Sequence, residues 1–396
     1  MKSNELNILV IAPYYYWFIK EFTEAESRYV GKIDVLVHHN YLAEISNILP
    51  FSGYVEVVRQ FFTKKHLIDN ERKPNNVNVH LLSMFYLIPD GNNKRLVDTL
   101  TKKFESYIKK QVIEFNMIHA HFTYPQGYIA IKLGKKFGVP VIVTLHENMP
   151  HLNSLLKKHK KKVYEVWRNA DALIRVNKKD FPIYLNAGVP ESKLYHIPNG
   201  FNPEKFPVIP KDICRKQLNL DPSKKILLNV ARLSEEKGQN YLIKAMKYVI
   251  QERTDVLCLI GGAGRLKEHL QKQITKQGLE EYVRLCGYIP DEKIAYFMNA
   301  ADIFVLPSLS EGNPTVMFEA LGVGLPFIGT TVGGIPEIIT TEEYGMLVEP
   351  SDAKGLSEKI LSALEKKWDN NSIMMYAKRY SWENIAKQTL RIYKTL

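Results

Sequence analysis

The sequence has few cysteines, no long apolar run and no evident signal peptide, and each of these observations excludes a class of protein. Its 396 residues include three cysteines, at positions 214, 258 and 286, with none of the pair spacings typical of zinc sites, so we expect buried, reduced thiols. No apolar run approaches the roughly 20 residues of a membrane-spanning helix. The first apolar run, Leu6–Ala12, is too short for a signal peptide and is interpreted as a strand, so we expect a cytoplasmic protein.

The composition is that of an ordinary globular protein. Apolar residues make up 45% and charged residues 24%, which excludes the disordered and fibrous classes. The net charge of +12 is concentrated in residues 1–200, which hold 28 Lys and Arg against 18 Asp and Glu. This basic half indicates an anionic partner: nucleic acid, a phosphorylated acceptor or an acidic membrane surface.

Short β-branched runs alternate with helix-length amphipathic stretches in both halves, a pattern typical of parallel α/β sheets with helices on both faces. The predicted strands are 8–12, 34–38, 117–121, 140–145 and 172–176, then 225–230, 256–260, 283–287, 303–306 and 326–329. A Pro- and Gly-rich stretch from residue 197 predicts a linker, which divides the chain into domains at 1–200 and 201–380. The last helix, within 381–396, is expected to pack back toward the first domain.

One segment of the second half carries groups of the kind that bind a diphosphate. Arg232 and Lys237 occupy a short loop between a predicted strand end and a helix start. A guanidinium makes forked contacts with phosphate oxygens, an ammonium acts as a point charge, and a helix start presents free amides. A solvated loop balanced by Glu235 and Glu236 is the alternative.

A glycine-rich turn at 261–264 follows the next strand. It differs from a dinucleotide fingerprint because Leu266 and Lys267 stand where a third glycine would follow. Gly262 could let the backbone approach a phosphate or nucleoside, or the turn could be only a tight connection.

Two carboxylates lie in the segment after strand 303–306. Glu311 is in the loop, and Glu319 is in the first turns of the following helix. A loop carboxylate beside helix amides can hold sugar hydroxyls, while a second carboxylate reaches a ribose diol; an acid near a helix start can also be structural. Another glycine turn, Gly333-Gly334, precedes Glu337.

As a set, these motifs resemble glycosyltransferase family 4. The resemblance rests on the Arg232/Lys237 pair, on Glu311 and Glu319 separated by seven residues, and on Gly-Gly-Ile-Pro-Glu at 333–337. It covers about 225–350, with weaker echoes at 118–127, 143–146 and 197–200. It implies the α/β GT-B fold, in which two Rossmann-like doubly wound domains face each other across a cleft, and a retaining sugar-nucleotide-dependent transferase.

The resemblance also implies residue roles. Arg232 and Lys237 would bind the donor diphosphate, Glu319 the ribose, and Glu311 the donor sugar. His146 is similar to the family histidine that reaches the sugar. The backbone expected around the donor comprises Gly312, Asn313, Pro314 and Thr315, with Gly262 nearby.

No protein nucleophile is expected, and the acceptor would attack the face that the leaving group vacates. Positive charge aimed at the leaving diphosphate would then contribute most to catalysis. The sequence contains no Asp-x-Asp motif, and two cations can replace a metal, so we expect metal independence and no cofactor. The nucleotide sugar is a co-substrate.

The first half departs from the family pattern. Its first strand leads into Tyr14, Tyr15, Tyr16, Trp17 and Phe18, with no glycine before Gly31. We therefore expect an unusual acceptor side, with Tyr15 and His121 as candidate contacts; strand alternation points His119 and His121 the same way.

Basic and apolar residues are interleaved over 155–167, which predicts a surface that lies on anionic lipid, or a solvated helix face. We expect peripheral attachment to the inner face of a membrane and a polysaccharide, lipid-linked or other glycan precursor as acceptor. The alternatives are a sugar-nucleotide epimerase, a phosphorylase with lysine-bound pyridoxal, and a nucleic-acid-binding protein. Nucleic-acid binding leaves Glu311 and Glu319 without a purpose, so no nucleic-acid partner is expected.

Overall fold

Buried runs of β-branched and aliphatic residues form the strands of two parallel sheets. The structure, a computed structural model, describes residues 6–41, 63–84 and 94–396. Residues 1–198 and 382–396 belong to one unit, and residues 199–381 form the other. The first boundary therefore lies within the Pro- and Gly-rich stretch that starts at residue 197.

The first unit contains a seven-stranded parallel sheet in the order β3-β2-β1-β4-β5-β6-β7. Its strands are β1 (Asn7–Ala12), β2 (Lys32–Asn40), β3 (Val77–Met84), β4 (Met117–His121), β5 (Val141–Leu145), β6 (Ala172–Arg175) and β7 (Leu194–His196). The order reverses between β1 and β4, the position at which doubly wound sheets bind ligands beyond the strand carboxyl ends.

In the described part of the first unit, the strands are connected by helices α1 (Trp17–Ser27), α2 (Lys64–Leu67), α3 (Lys94–Gln111), α4 (Tyr128–Phe137), α5 (Met149–Asn169) and α6 (Phe181–Asn186). Helix α5 begins where the Asn148 side chain accepts a hydrogen bond from the His151 amide, and it is kinked at His159. Helix α4 ends at Gly138, whose left-handed backbone suits glycine.

The second unit contains a six-stranded parallel sheet in the order β10-β9-β8-β11-β12-β13. Its strands are β8 (Lys225–Val230), β9 (Val256–Gly261), β10 (Val283–Gly287), β11 (Ile303–Leu306), β12 (Phe327–Thr330) and β13 (Gly345–Val348). Its helices are α7 (Lys211–Gln217), α8 (Gln239–Glu252), α9 (Lys267–Lys276), α10 (Asp291–Ala300), α11 (Thr315–Gly322), α12 (Ile335–Ile338), α13 (Ala353–Glu365) and α14 (Asn370–Ala377). The strand order again reverses, here between β8 and β11.

The final helix, α15 (Trp382–Tyr393), packs on the first unit, beside α1. Its buried side chains share a core with Ile8 and Val10 of β1. Trp382 Nε1 donates to Glu21 at 2.8 Å, and the Tyr29 hydroxyl donates to Glu383 at 2.7 Å. The chain therefore crosses into the second unit and returns.

The predicted strands are all present, with ends shifted by one or two residues. The sequence interpretation missed β3, β7 and β13, which lie at or near sheet edges. Polar residues such as Asn78 and Ser83 interrupt the apolar pattern of β3, because an edge strand is partly exposed. Cys214 and Cys258 are buried and Cys286 is half-buried, and all three are free. Within the described ranges, no helix has the length and apolarity needed to cross a bilayer.

Candidate functional site

The loops that follow β8 and β9 are packed backbone to backbone. Gly262 has a φ of +142°, and a Cβ there would lie 1.9 Å from the Ala231 carbonyl oxygen. The Leu233 amide donates to the Ala263 carbonyl at 2.9 Å. Only glycine allows this approach, so the turn at Gly262 holds the loop that carries Arg232.

The loop after β8 also contacts the loop that follows β11. The Leu309 amide donates to the Glu236 carbonyl at 2.8 Å, and a Cβ at Gly238 would lie 2.0 Å from the Pro307 carbonyl oxygen. The β11 loop in turn meets the β12 loop, since the Gly334 amide donates to the Gly312 carbonyl at 2.8 Å. The loops after β8, β9, β11 and β12 therefore form one continuous edge.

This edge brings Lys237 and Glu311 together. Lys237 Nζ donates to Glu311 Oε1 at 2.7 Å, and the same oxygen accepts a hydrogen bond from Ser308 Oγ at 2.7 Å. The Glu311 side chain is 7% exposed and that of Lys237 is 20% exposed. Thr330 Oγ1 donates to the Ser308 carbonyl at 2.6 Å, which fixes the Ser308 backbone to β12. One carboxylate oxygen is thus anchored, and the other side of the carboxylate can take a further donor.

Arg232 lies on the same edge but is held more loosely. Its guanidinium pairs with Glu236 at 3.1 Å, and its side chain is 59% exposed. Burial raises the pKa of Glu236, but hydrogen bonds and the charges of Arg232 and Lys237 outweigh it and bring that pKa below its ordinary value. Gln239 Nε2 donates to the Arg232 carbonyl at 3.0 Å, so the backbone of the loop is better fixed than the guanidinium.

Asn313 is buried and pairs with Asn199. The Asn199 amide donates to Asn313 Oδ1 at 3.0 Å, and Asn199 Nδ2 donates to the Asn313 carbonyl at 2.7 Å. Asn313 Nδ2 is buried without a hydrogen-bond partner among the described residues. Such a donor, next to Glu311 and Gly312 along the chain, can donate to an oxygen of a bound ligand.

Glu319 lies in α11, half-buried. Pro314 precedes the helix and Thr315 begins it. Glu319 shares its partly exposed face with Thr315 and Val316. Its role as a ribose ligand stays a prediction.

The first unit places His146 against His121. His146 follows β5, and its Nε2 lies 3.0 Å from His121 Nδ1. Phe18 and Phe122 pack on the His146 ring, with centroids at 4.9 and 5.1 Å. Burial lowers the pKa of His121 to about 3, so this ring is neutral at pH 7.

His119 belongs instead to a buried hydrogen-bond network. Its ring stacks on that of His121 at 4.6 Å, as strand alternation predicts. His119 Nδ1 lies 2.6 Å from the Tyr393 hydroxyl, which also bonds to Glu26, and Nε2 lies 2.7 Å from Thr144 Oγ1. Burial raises the pKa of Glu26 to about 8, against the opposing effect of the Tyr393 hydrogen bond. This network joins α1, β4 and α15.

Tyr15 is fully buried, and its backbone is bonded to Leu67 and Asp69. It would have to leave this core to touch an acceptor. Trp17 is the exposed aromatic side chain at this turn, 51% accessible, with a φ of +48° that is strained for a bulky residue.

Three residues of the site were missed from the sequence: Asn199, Gln239 and Ser308. Asn199 belongs to the weak echo at 197–200, to which the sequence assigns no role. Ser308 is within the Glu311 segment, but a serine three residues before a glutamate carries no signal of its own. Across residues 6–41, 63–84 and 94–396, no three His, Cys, Asp or Glu side chains gather so that they could hold a metal ion.

Two doubly wound parallel sheets define a class of two-domain α/β proteins, and here Arg232, Lys237 and Glu311 lie at the edge of the second sheet where such folds bind ligands. Comparison with known proteins gives the family. The family model for Glycosyl transferases group 1 matches residues 210–381, and that for Glycosyltransferase Family 4 matches residues 54–205. The chain belongs to the family 4-like glycosyltransferases of group 1, with the GT-B fold.

Two curated relatives match part of the chain. An uncharacterized glycosyltransferase of Methanocaldococcus jannaschii is 31% identical over 52% of this chain and 55% of its own length. The amylovoran biosynthesis glycosyltransferase AmsK of Erwinia amylovora is 30% identical over 57% of this chain and 55% of its own length. The match thus spans about half the length of each relative.

A solved structure shows the same fold over the whole chain. HepE of Anabaena, crystallised in complex with UDP, has a TM-score of 0.74 and covers 99% of this chain and 100% of its own. At 19% identity, this likeness concerns the fold.

Proposed function

We propose that this protein transfers a sugar, with retention of configuration, from a nucleoside-diphosphate sugar to a glycan or lipid-linked acceptor. The observation that carries the proposal is the Lys237–Glu311 pair, held between the ends of β8 and β11 beside the glycine turns. Family membership supports a transferase, and the Anabaena relative of the same fold binds UDP.

Each group has a chemical task in this proposal. Lys237 and Arg232 stabilise negative charge on the departing diphosphate, and such electrostatic stabilisation lowers the barrier more than any other effect in this kind of reaction. Glu311 accepts a hydrogen bond from a sugar hydroxyl through the oxygen that Ser308 and Lys237 leave available. Glu319 binds the ribose diol, and the glycine turn at Gly262 lets backbone amides approach the donor.

The donor test is a thermal-shift screen against UDP-, GDP-, ADP- and CMP-sugars, followed by turnover assays. One nucleotide class is expected to stabilise the protein, by about 2.7 kcal/mol when present at about 100 times its Kd. Glu319→Ala should weaken that binding, while Glu358→Ala, an exposed position of α13, should not. Absence of stabilisation by all four classes contradicts the proposal. Turnover of donor sugar into an epimer without acceptor favours an epimerase instead.

Metal independence is part of the proposal. Two side-chain cations next to the diphosphate replace the charge that a divalent ion supplies in other transferases. After exhaustive chelation, turnover should be unchanged. A requirement for added Mg²⁺ or Mn²⁺ would overturn this part alone.

The acceptor side is proposed to lie at an anionic membrane surface. Helix α5 exposes Lys157, Lys158, Lys160 and Lys161, while Leu155 and Val163 on its other face are buried. Each lysine near an anionic leaflet contributes about 1 kcal/mol of attraction at low salt. The amylovoran relative is consistent with a surface-polysaccharide acceptor.

Sedimentation with phosphatidylglycerol vesicles tests the surface. The wild type should sediment at low ionic strength and be released by salt, and alanine at all four α5 lysines should abolish the binding. Alanine at four exposed lysines of the second unit, Lys267, Lys272, Lys276 and Lys354, is the matched control. Equal loss in both variants would indicate net charge rather than a surface on α5.

A further inference from the structure

A buried arginine holds the backbone around His146. Arg175 is the last residue of β6, and its side chain is fully buried. Its Nη1 donates to the Leu145 carbonyl at 2.6 Å, and its Nη2 donates to the Glu147 carbonyl at 2.7 Å. Since these two carbonyls lie on either side of His146 along the chain, one planar guanidinium restrains the backbone that carries the imidazole.

The arginine departs from the pattern of its strand. The other residues of β6, Ala172–Ile174, are apolar and buried. Buried strands of parallel sheets are ordinarily apolar throughout, and a buried guanidinium loses its hydration. An apolar side chain at position 175 would continue the strand without that cost. The contacts of the guanidinium with the loop after β5 therefore distinguish this position from the rest of β6.

Asp180 balances the charge of Arg175. Its Oδ2 accepts a hydrogen bond from Nη2 of the same guanidinium. The Asp180 backbone amide donates to Asn177 Oδ1 at 3.1 Å, so the turn before α6 holds the carboxylate in place. This ion pair and the two carbonyl bonds are separate interactions of one side chain, and different substitutions can remove each of them.

The Glu147 side chain fixes the same loop from another direction. It is buried, and its Oε1 accepts a hydrogen bond from the Thr123 amide at 2.5 Å. The preceding residue, Phe122, donates from its amide to the Thr144 carbonyl at 2.8 Å, and its ring packs on that of His146 at 5.1 Å. The loops after β4 and β5 are therefore bonded to each other on both sides of the His146 ring.

We propose that Arg175 is a positioning residue, which sets the place of the His146 ring at the carboxyl edge of the first sheet through the two carbonyls that flank it. This inference rests on the proposed function, with His146 in the role that the family resemblance implies, a contact with the donor sugar. Displacement of such a group by about 1 Å can lower a rate about 100-fold. Arg175 is buried, so its effect on turnover passes through His146.

Two substitutions separate positioning from charge balance. Arg175→Lys keeps the cation beside Asp180, but a single ammonium nitrogen cannot make the forked contact with both carbonyls. We expect kcat to fall about tenfold or more, with donor KM changed by less than about threefold. Asp180→Asn is the matched control, because it removes the ion pair and leaves both carbonyl bonds; its kcat should stay within about threefold of the wild type. Equal loss of kcat in the two variants contradicts the proposal.

A double-mutant cycle tests whether the effect passes through His146. In the His146→Ala background there is no ring to position, so Arg175→Lys should lower kcat further by less than about twofold. A full tenfold loss in that background overturns the proposal, since Arg175 would then support catalysis by another route.

Nuclear magnetic resonance of the histidine Cε1–Hε1 groups tests the positioning without any substrate. The His146→Ala variant assigns the His146 signal by its loss. That signal should move further in Arg175→Lys than in Asp180→Asn, and an equal or smaller displacement overturns the proposal. If the wild type turns over no nucleotide sugar, the proposed function fails, while the spectrum still decides whether Arg175 positions His146.

Discussion

The ligand-facing edges of the two sheets are built from opposite chemistry. At the second edge, charged groups stand on loops whose backbones touch at glycines, as in the approach of Gly262 to the Ala231 carbonyl and the Lys237–Glu311 pair. At the first edge, histidine and aromatic rings pack together, and the titratable groups beneath them are buried. Charged side chains at the second edge, such as Arg232, are partly exposed and can contact a ligand. The polar side chain of His119 at the first edge instead makes its hydrogen bonds inside the protein. The two units therefore need different experiments: substitutions of charged side chains and glycines in the second, and stability measurements against pH in the first.

The largest effect is expected from the backbone contact at the second edge. Gly262→Ala places a methyl group against the Ala231 carbonyl, at 1.9 Å, on a backbone with φ of +142°. We expect a loss of about 3 kcal/mol in the free energy of unfolding, together with loss of nucleotide binding. Urea denaturation and calorimetry measure both. Gly278→Ala is the control, because its φ is +65° but no atom lies within 4 Å of the added methyl; it should lose only about 1 kcal/mol. Similar losses in the two variants would show that close backbone approach is not what Gly262 provides.

The next largest effect is expected from removing the positive charge of Lys237 at the second edge. Lys237→Gln keeps a hydrogen-bond donor for Glu311 but removes the cation, so kcat/KM should fall about 100-fold while stability changes little. Steady-state kinetics with the identified donor measure the effect. Lys247→Gln, on the exposed face of α8, is the matched control. Unchanged kinetics at Lys237 would remove it from the donor site.

The buried network behind the first edge calls for a test of stability against pH. Burial raises the pKa of Glu26 to about 8 in the folded state, from an ordinary value of 4.5. Between these pH values the unfolded chain has released this proton and the folded protein has not. The contribution of Glu26 to the unfolding free energy is therefore full below about pH 4.5 and is lost as pH rises toward 8.

Glu26→Gln should remove this dependence, so the variant should be more stable relative to the wild type at pH 8 than at pH 5, by about 2 kcal/mol or more. Urea denaturation at both pH values measures it. Glu114→Gln, on an exposed residue, should show no such difference. A constant offset for Glu26→Gln at the two pH values would contradict the buried, protonated carboxyl.

The smallest effect on stability is expected at Arg232. Its guanidinium is 59% exposed and its ion pair with Glu236 is on the surface, so Arg232→Ala should change the unfolding free energy by less than about 0.5 kcal/mol. The donor KM should nevertheless rise about tenfold if the guanidinium binds the diphosphate. A loss of stability without a change in KM would assign Arg232 a structural role.

Local patterns along the chain were enough to predict the buried strands, the parallel α/β class and the family, because continuous apolar runs, glycine turns and the Glu311/Glu319 spacing need no knowledge of distant residues. Strand alternation also predicted that His119 and His121 share a face. The same patterns did not reveal the edge strands β3 and β7, whose mixed polarity reflects partial exposure.

Which side chains form ion pairs or hydrogen bonds with each other is determined by the tertiary structure. Lys237 and Glu311 are 74 residues apart, Asn199 and Asn313 are 114 apart, and His119 and Tyr393 are 274 apart. Local sequence offered Glu235 and Glu236 as neighbours for the cations, and the structure pairs Arg232 with Glu236 but Lys237 with Glu311. The physical reason is that parallel strands bring distant segments to one edge, so the partner of a side chain is set by sheet order and not by distance along the chain.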